Sequence, residues 1–266
     1  MKTTTAIYAF IFFTLFFHST VLFAQTQRAL IIGNAAYSIG NLDNPINDAN
    51  DIASKLEQLD FEVTLLVDTD YSTMRKAISQ FYANISDRND VSVFYYAGHA
   101  MQIDSVNYLL PLDVKYDSVE AIINSTLDLN FLLNNMKRAK SRSNIVILDA
   151  CRNNPFEKRS SKSQQSSSQK RIGLAPVEAP PGTFIAYSTE PGRVASDGMG
   201  RNGTYTKYLL KHLKTAVGVE TMFKKVRQDV MRVTNQKQIP WEHSSLYENF
   251  LFKKNDAEAL PNIPSF

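Results

Sequence analysis

The chain has 266 residues, enough for one large domain or two small ones, with 44% hydrophobic and 21% charged residues. That balance excludes a disordered or fibrous chain, and a net charge of only +3 excludes a dedicated nucleic-acid surface. One cysteine and four histidines exclude a disulfide framework, an iron–sulfur cluster and a cysteine-rich zinc site.

Residues 1–24 have the pattern of a secretory signal. Lys2 supplies a positive start, Ala6 to Phe17 an apolar run, and Val21-Leu22-Phe23-Ala24 ends on a small residue suited to cleavage before Gln25. An uncleaved anchor helix over Ala6 to Ala24 is the alternative, since that stretch nearly spans a bilayer, although His18, Ser19 and Thr20 interrupt it. Either way the remaining chain is expected to be exported, periplasmic or secreted, with no membrane attachment once the signal is cleaved. Cys151 is then a lone thiol in a compartment where structural cysteines are usually paired. A buried, inert cysteine is the competing expectation.

Beyond the signal, short apolar runs alternate with helical patterns. Strands are predicted at Arg28–Ile32, Phe61–Val67, Val91–Tyr96, Ile145–Leu148 and Thr183–Tyr187, with a weaker one around Tyr247–Phe252. They are apolar throughout, as strands buried on both faces are. Amphipathic helices lie between them. Ala49, Ile52, Ala53, Leu56 and Leu59 share one face, as do Met74, Ile78, Phe81, Tyr82 and Ile85. Leu129, Leu132, Leu133 and Met136 repeat the pattern, then Tyr205, Tyr208, Leu209 and Leu213, then Val219, Met222, Phe223, Val226, Val230 and Val233. Such alternation predicts an α/β fold with a mainly parallel sheet covered on both faces. Glu157 to Arg171 is almost wholly Ser, Gln, Lys and Arg and cannot pack, and a Pro-rich piece, Ala175 to Gly182, follows it. One fold over residues 25–253 is expected: a larger part, 25–156, a linker, 157–182, and a smaller part, 183–253, ahead of a tail at 254–266.

In open parallel sheets, active residues gather beyond the carboxyl ends of the strands. Two predicted strands end in unusual chemistry, one running into Ala97-Gly98-His99-Ala100 and the other into Asp149-Ala150-Cys151-Arg152-Asn153. His99 and Cys151 are therefore expected on one edge of the sheet, and adjacent if their strands are neighbours. An imidazole beside a thiol makes a thiolate at neutral pH and later protonates a leaving amine. The other histidines fit less well. His18 leaves with the signal, His212 falls on an apolar helix face, and His243 is expected in a polar turn.

These segments resemble the caspase-fold cysteine peptidases, specifically their bacterial metacaspase-like branch. The resemblance rests on Ala29-Leu30-Ile31-Ile32-Gly33-Asn34, on Leu42 to Asp51 with Asn47-Asp48-Ala49, and on Phe94 to Gln102 with Gly98-His99. It continues through Asn107-Tyr108-Leu109-Leu110-Pro111 and Asp149-Ala150-Cys151-Arg152. The fold it implies is a three-layer α/β/α sandwich with a mostly parallel sheet of about six strands. The roles it implies are general acid/base for His99 and nucleophile for Cys151, with the backbone amides of Ala100 and Cys151 as oxyanion hole. The family usually has glycine where this chain has Ala100. Alanine keeps the amide but resists positive φ, so the hole depends on that conformation not being required.

The resemblance also places Asp149, two residues before the nucleophile, near the pocket for the substrate side chain, where aspartate-cutting caspases have glutamine and arginines line the pocket. A carboxylate there favours Arg or Lys before the cut, because guanidinium meets it in bidentate fashion. Asp48 matches a second acid of metacaspase pockets, and Asp197, in Val194-Ala195-Ser196-Asp197-Gly198, a third. Each has a plain alternative: the first turn of a helix for Asp48, its own loop for Asp149, a turn for Asp197. Lys158, Arg159, Lys162, Lys170 and Arg171 make the linker itself a substrate of such an enzyme, so self-processing is expected, against a merely solvated linker.

Gly198-Met199-Gly200-Arg201-Asn202-Gly203 matches the dinucleotide fingerprint as a string, but no strand leads directly into it. Metal-ligand spacings and calcium-loop patterns are absent, so no metal or cofactor is expected; the calcium requirement of some metacaspases is not written in this sequence. The expected partners are peptides or proteins with a basic residue before the cut. Two functions follow: an exported cysteine endopeptidase cutting after Arg or Lys through a thioester, or a catalytically silent caspase-like module that binds protein.

Overall fold

The computed structural model describes residues 26–85, 90–104, 106–139, 141–151, 177, 179–190 and 200–253, with the backbone alone described at 151. The expected signal, most of the linker, the 191–199 segment and the tail lie outside these residues. Their order is β1 (Gln27–Gly33), α1 (Pro45–Glu57), β2 (Glu62–Val67), α2 (Tyr71–Ala83), β3 (Val91–Ile103), β4 (Val106–Leu109) and α3 (Val119–Asn124). Then come β5 (Leu127–Asp128), α4 (Leu129–Ala139), β6 (Ser143–Cys151), β7 (Thr183–Tyr187), α5 (Thr204–Leu213), α6 (Val219–Val233) and β8 (Trp241–Ser244).

The main sheet runs β2-β1-β3-β6-β7-β8, parallel except for the antiparallel edge strand β8. Strand periodicity divides its residues between two cores. Ala29, Ile31, Val93, Tyr95, Ile145, Ile147, Phe184 and Ala186 face α1, α5 and α6. Leu30, Ile32, Phe94, Tyr96, Val146, Leu148, Ile185 and Tyr187 face α2 and α4. Both faces of the inner strands β1, β3, β6 and β7 are covered, so these are apolar at nearly every position, whereas the edge strand β2, expected to be buried on both faces, is largely exposed. Burying each large side chain contributes about 1.5–3 kcal/mol, which is why the four inner strands dominate the sequence signal.

Two local features aim the chain at the carboxyl rim. A Cβ on Gly33 would lie 2.6 Å from both Ala49 Cβ and the Pro45 carbonyl oxygen, so the glycine lets the first turns of α1 cross directly over the end of β1. The cap of α2 is Asp70, whose carboxylate accepts the Thr73 amide at 2.7 Å. Strand β3 runs far past its expected end at Tyr96. After separating from β6 it folds back on β4, pairing Ala100 with Leu109 and Ile103 with Val106.

Two expectations are corrected. Tyr247–Phe252 is not a strand: Phe250 and Phe252 are buried beside Phe61, where their rings serve the α1 side of the core rather than a ladder. The last strand is Trp241–Ser244, and His243 lies on it opposite Ile185 rather than in a polar turn. Its Trp-Glu-His-Ser sequence is polar because it is an edge strand, tied to α6 through the Glu242–Arg227 ion pair.

Candidate active site

Strands β3 and β6 are parallel neighbours whose register runs from Val91–Ser143 to His99–Cys151. The two residues are thus side by side at the carboxyl end of the sheet. His99 is fixed through its backbone and its ring. Its N–H donates to the Tyr37 hydroxyl at 3.1 Å, and its carbonyl accepts the Tyr96 hydroxyl at 2.7 Å and the Leu110 amide at 3.0 Å. The imidazole lies against the Tyr37 ring, centroids 4.6 Å apart, with Nε2 3.3 Å from the Gly40 carbonyl oxygen. A ring nitrogen facing a carbonyl carries the proton, which makes Nδ1 the basic nitrogen of the neutral ring.

Gly98 is required by close approach. With φ at +157°, a Cβ would fall 2.6 Å from the Tyr37 hydroxyl and 2.7 Å from that of Tyr96. Burial pushes both phenols up, so they remain neutral hydrogen-bond donors. Ala100 is fully buried on β3, in ordinary extended backbone. Because Leu110 N–H bonds the carbonyl of His99, the Ala100 amide faces the other way, toward β6. The positive φ that alanine resists is not needed at this position.

The acids converge on the same rim. Asp149 stands two residues before Cys151, and its Oδ2 accepts the Thr206 hydroxyl at 2.7 Å. The Thr206 oxygen is 2.6 Å from the Tyr95 hydroxyl, so with its proton on Asp149 it takes that of Tyr95. Asp48, on α1 and only 3% exposed, accepts the Gly203 amide at 3.1 and 3.3 Å. A Cβ on Gly203 would lie 3.1 Å from Asp48 Oδ2 and 3.8 Å from Asp149 Oδ2. Both carboxylates therefore border one small space, which a side chain at 203 would enter. Burial, and after it the charge of Asp149, pushes Asp48 up to about 8; the Asn202 side chain and Gly203 amide oppose the shift. Two carboxylates bordering one space oppose each other's ionisation, so the pair favours holding a proton.

Sequence reasoning missed the surroundings of these acids. Arg201 grips Asp51 through two bonds of 2.9 Å, and the Asn202 side-chain amide adds a third of 2.9 Å. Gly203, last glycine of the false dinucleotide string, is the N-cap of α5. Asp51 had a signal, since it lies three residues after Asp48 and so shares its helix face. Asp197 lies outside the described residues. His212 is buried and 2.9 Å from Asp229, an α5–α6 tie that also involves Lys211 and Arg232. These cations hold the Asp229 carboxyl well below the usual range.

A family description, Caspase domain, matches residues 26–251. The chain is 30% identical over 132 residues to mucosa-associated lymphoid tissue lymphoma translocation protein 1 of Homo sapiens, covering 48% of this chain and 15% of that protein. It is 24% identical over 172 residues to a probable protease of a Desulfuromonadales bacterium, covering 60% of this chain and 20% of that one. The chain thus spans a fifth or less of these relatives' lengths. The crystal structure of caspase-1 from Spodoptera frugiperda superposes with a TM-score of 0.64 at 17% identity, covering 88% of this chain and 92% of that one. Its pro-form gives 0.65 at the same coverage. At such identity the likeness speaks to the fold. With the family match over most of its length, the chain belongs to the caspase domain family of cysteine peptidases.

Proposed function

We propose that the protein is an exported endopeptidase of the bacterial metacaspase-like branch, cutting after Arg or Lys. The observation that carries the specificity is the Asp48–Asp149 pair, two acids bordering one space on the rim where His99 and Cys151 are paired. A guanidinium or ammonium entering that space displaces the shared proton and gains two charge-assisted contacts.

The pairing of His99 with Cys151 supports the following chemistry. His99 Nδ1 takes the Cys151 proton, and the thiolate attacks the scissile carbonyl carbon. The amides of Ala100 and Cys151 meet the oxyanion, a contribution of about 3–4 kcal/mol per donor in comparable sites. The imidazolium then gives its proton to the departing amine, leaving a thioester on Cys151. His99 next takes a proton from water, hydroxide adds to the thioester, and the thiolate leaves with release of the acid. The basic residues at 158, 159, 162, 170 and 171 are the proposed self-processing sites.

The test is hydrolysis of fluorogenic peptides ending in Arg, Lys or Asp by the wild type and by Cys151→Ala. Turnover of the Arg and Lys peptides, abolished by Cys151→Ala, is the expected result. Cleavage after Asp alone overturns the pocket assignment, and no turnover of any peptide by processed protein makes the silent binding module the better account. Amino-terminal sequencing of active protein tests self-processing, which fully active intact chains refute.

A further inference from the structure

The acid pair does not hold its geometry alone. Asp48 belongs to α1, before the linker, whereas its amide donor Gly203 belongs to the segment that enters α5, after the linker. Besides the core packing of α5 and the Thr206–Asp149 bond, a second contact one helical turn away joins them. The Arg201 guanidinium meets Asp51 with Nε to Oδ2 and Nη2 to Oδ1, both at 2.9 Å. Asn202 Nδ2 reaches Asp51 Oδ2 at 2.9 Å while the same side chain bonds Asp48. Gly203 follows with its amide on Asp48 and no side chain in the space between the acids. Three consecutive residues thus satisfy two carboxylates three positions apart on one helix.

The fork matters for its precision. A bidentate guanidinium restrains orientation as well as distance, which a single ammonium cannot do. The Arg201 side chain is 61% exposed and that of Asp51 28%, so the pair contributes little to global stability. Its consequence is local. Release of residues 201–203 takes the amide away from Asp48, together with the positive end of the α5 dipole. Asp149 on β6, Asp51 on α1 and the buried Tyr95 hydroxyl on β3 remain around Asp48, and two of these three oppose its ionisation.

We propose that Asp51, Arg201 and Asn202 form a positioning clamp that holds the post-linker segment against α1 and thereby sets the affinity of the acid pair for a cationic side chain. The inference rests on the Arg/Lys reading of the pocket. It makes Arg201 a determinant of substrate affinity although it carries the same charge as the substrate side chain.

The test compares wild type, Arg201→Ala and Arg201→Lys as full-length chains, using an Arg-terminated fluorogenic peptide across pH. For Arg201→Ala the expected result is a KM about tenfold higher, with most of the loss in KM rather than kcat, and a rise of kcat/KM with pH displaced upward. Arg201→Lys, which restores the charge without the fork, falls between. A wild-type KM and pH profile in Arg201→Ala overturns the clamp, as does an equal loss in both variants. If the wild type cleaves no basic peptide, the pocket reading fails, and the clamp is read from the pH dependence of the thermal midpoint. There Arg201→Ala must lose stability over a wider alkaline range than wild type, and identical curves overturn it.

Discussion

Replacing Asp48 by Asn has opposite effects on substrate capture and on stability at alkaline pH, and the second grows with pH. The carboxyl is pushed from 3.8 to about 8, first by burial and then by Asp149. Between those values the folded chain keeps a proton that the unfolded chain has released, so wild-type stability falls as pH rises through that window. At about 1.4 kcal/mol per unit, the full window corresponds to a cost on the order of 5 kcal/mol for an ionised Asp48. Asparagine escapes that cost, but its amide N–H groups must find acceptors where a carboxylate accepted the Gly203 amide, at about 1–3 kcal/mol. Asp48→Asn is therefore close to neutral near pH 5 and about 2–4 kcal/mol more stable near pH 9. For a domain of this size that is a midpoint roughly 4–16 °C higher. Thermal melts of Cys151→Ala and Cys151→Ala/Asp48→Asn at intervals from pH 4 to 9.5 measure the difference without self-cleavage. Parallel melting curves across that range, or a variant less stable at pH 9 than wild type, would refute the reasoning. Loss of one buried charge partner costs about 2–5 kcal/mol, so kcat/KM for Arg peptides falls roughly 30-fold or more in the same variant.

Gly98→Ala drives a methyl onto the Tyr37 and Tyr96 hydroxyls that hold the His99 backbone, and should cost about 1–3 kcal/mol and most of the activity. Adding Tyr37→Phe, which removes one of the crowded hydroxyls, should recover part of the thermal midpoint; a wild-type midpoint in Gly98→Ala contradicts the packing. Thr206→Val leaves Asp149 without this donor and the Tyr95 hydroxyl without this acceptor, at about 1–3 kcal/mol by denaturant unfolding at pH 7. Thr206→Ser keeps the hydroxyl and should recover most of that loss.

The strands β1, β2, β3, β6 and β7 and the placement of His99 and Cys151 at one edge of the sheet were legible, because two-sided burial of the inner strands writes continuous apolar runs and parallel strands put their chemistry at one end. The β3–β6 adjacency and the short strands β4 and β5 were not. The edge strand β8 was not legible, since Trp241 to Ser244 meets a partner on one side only and needs no apolar pattern. Phe250 and Phe252 misled for the converse reason: buried aromatic side chains can cover a core from a loop. Asp48 and Asp149 could be singled out as residue types, but their partners could not. Gly203, Thr206 and Arg201 come from a segment separated from both acids by the linker, where neither spacing nor periodicity records contact. Tyr37 and Gly40 escaped likewise, because their contact with His99 comes from a loop crossing the end of β3.

The partnership of thiol and imidazole is tested most directly by covalent labelling with an Arg-terminated peptidyl acyloxymethyl ketone, followed by intact mass and peptide mapping. The account predicts a single adduct per chain on Cys151, formed at least about a hundredfold more slowly in His99→Ala. An unlabelled Cys151 in the wild type, or equal rates in both proteins, would contradict it.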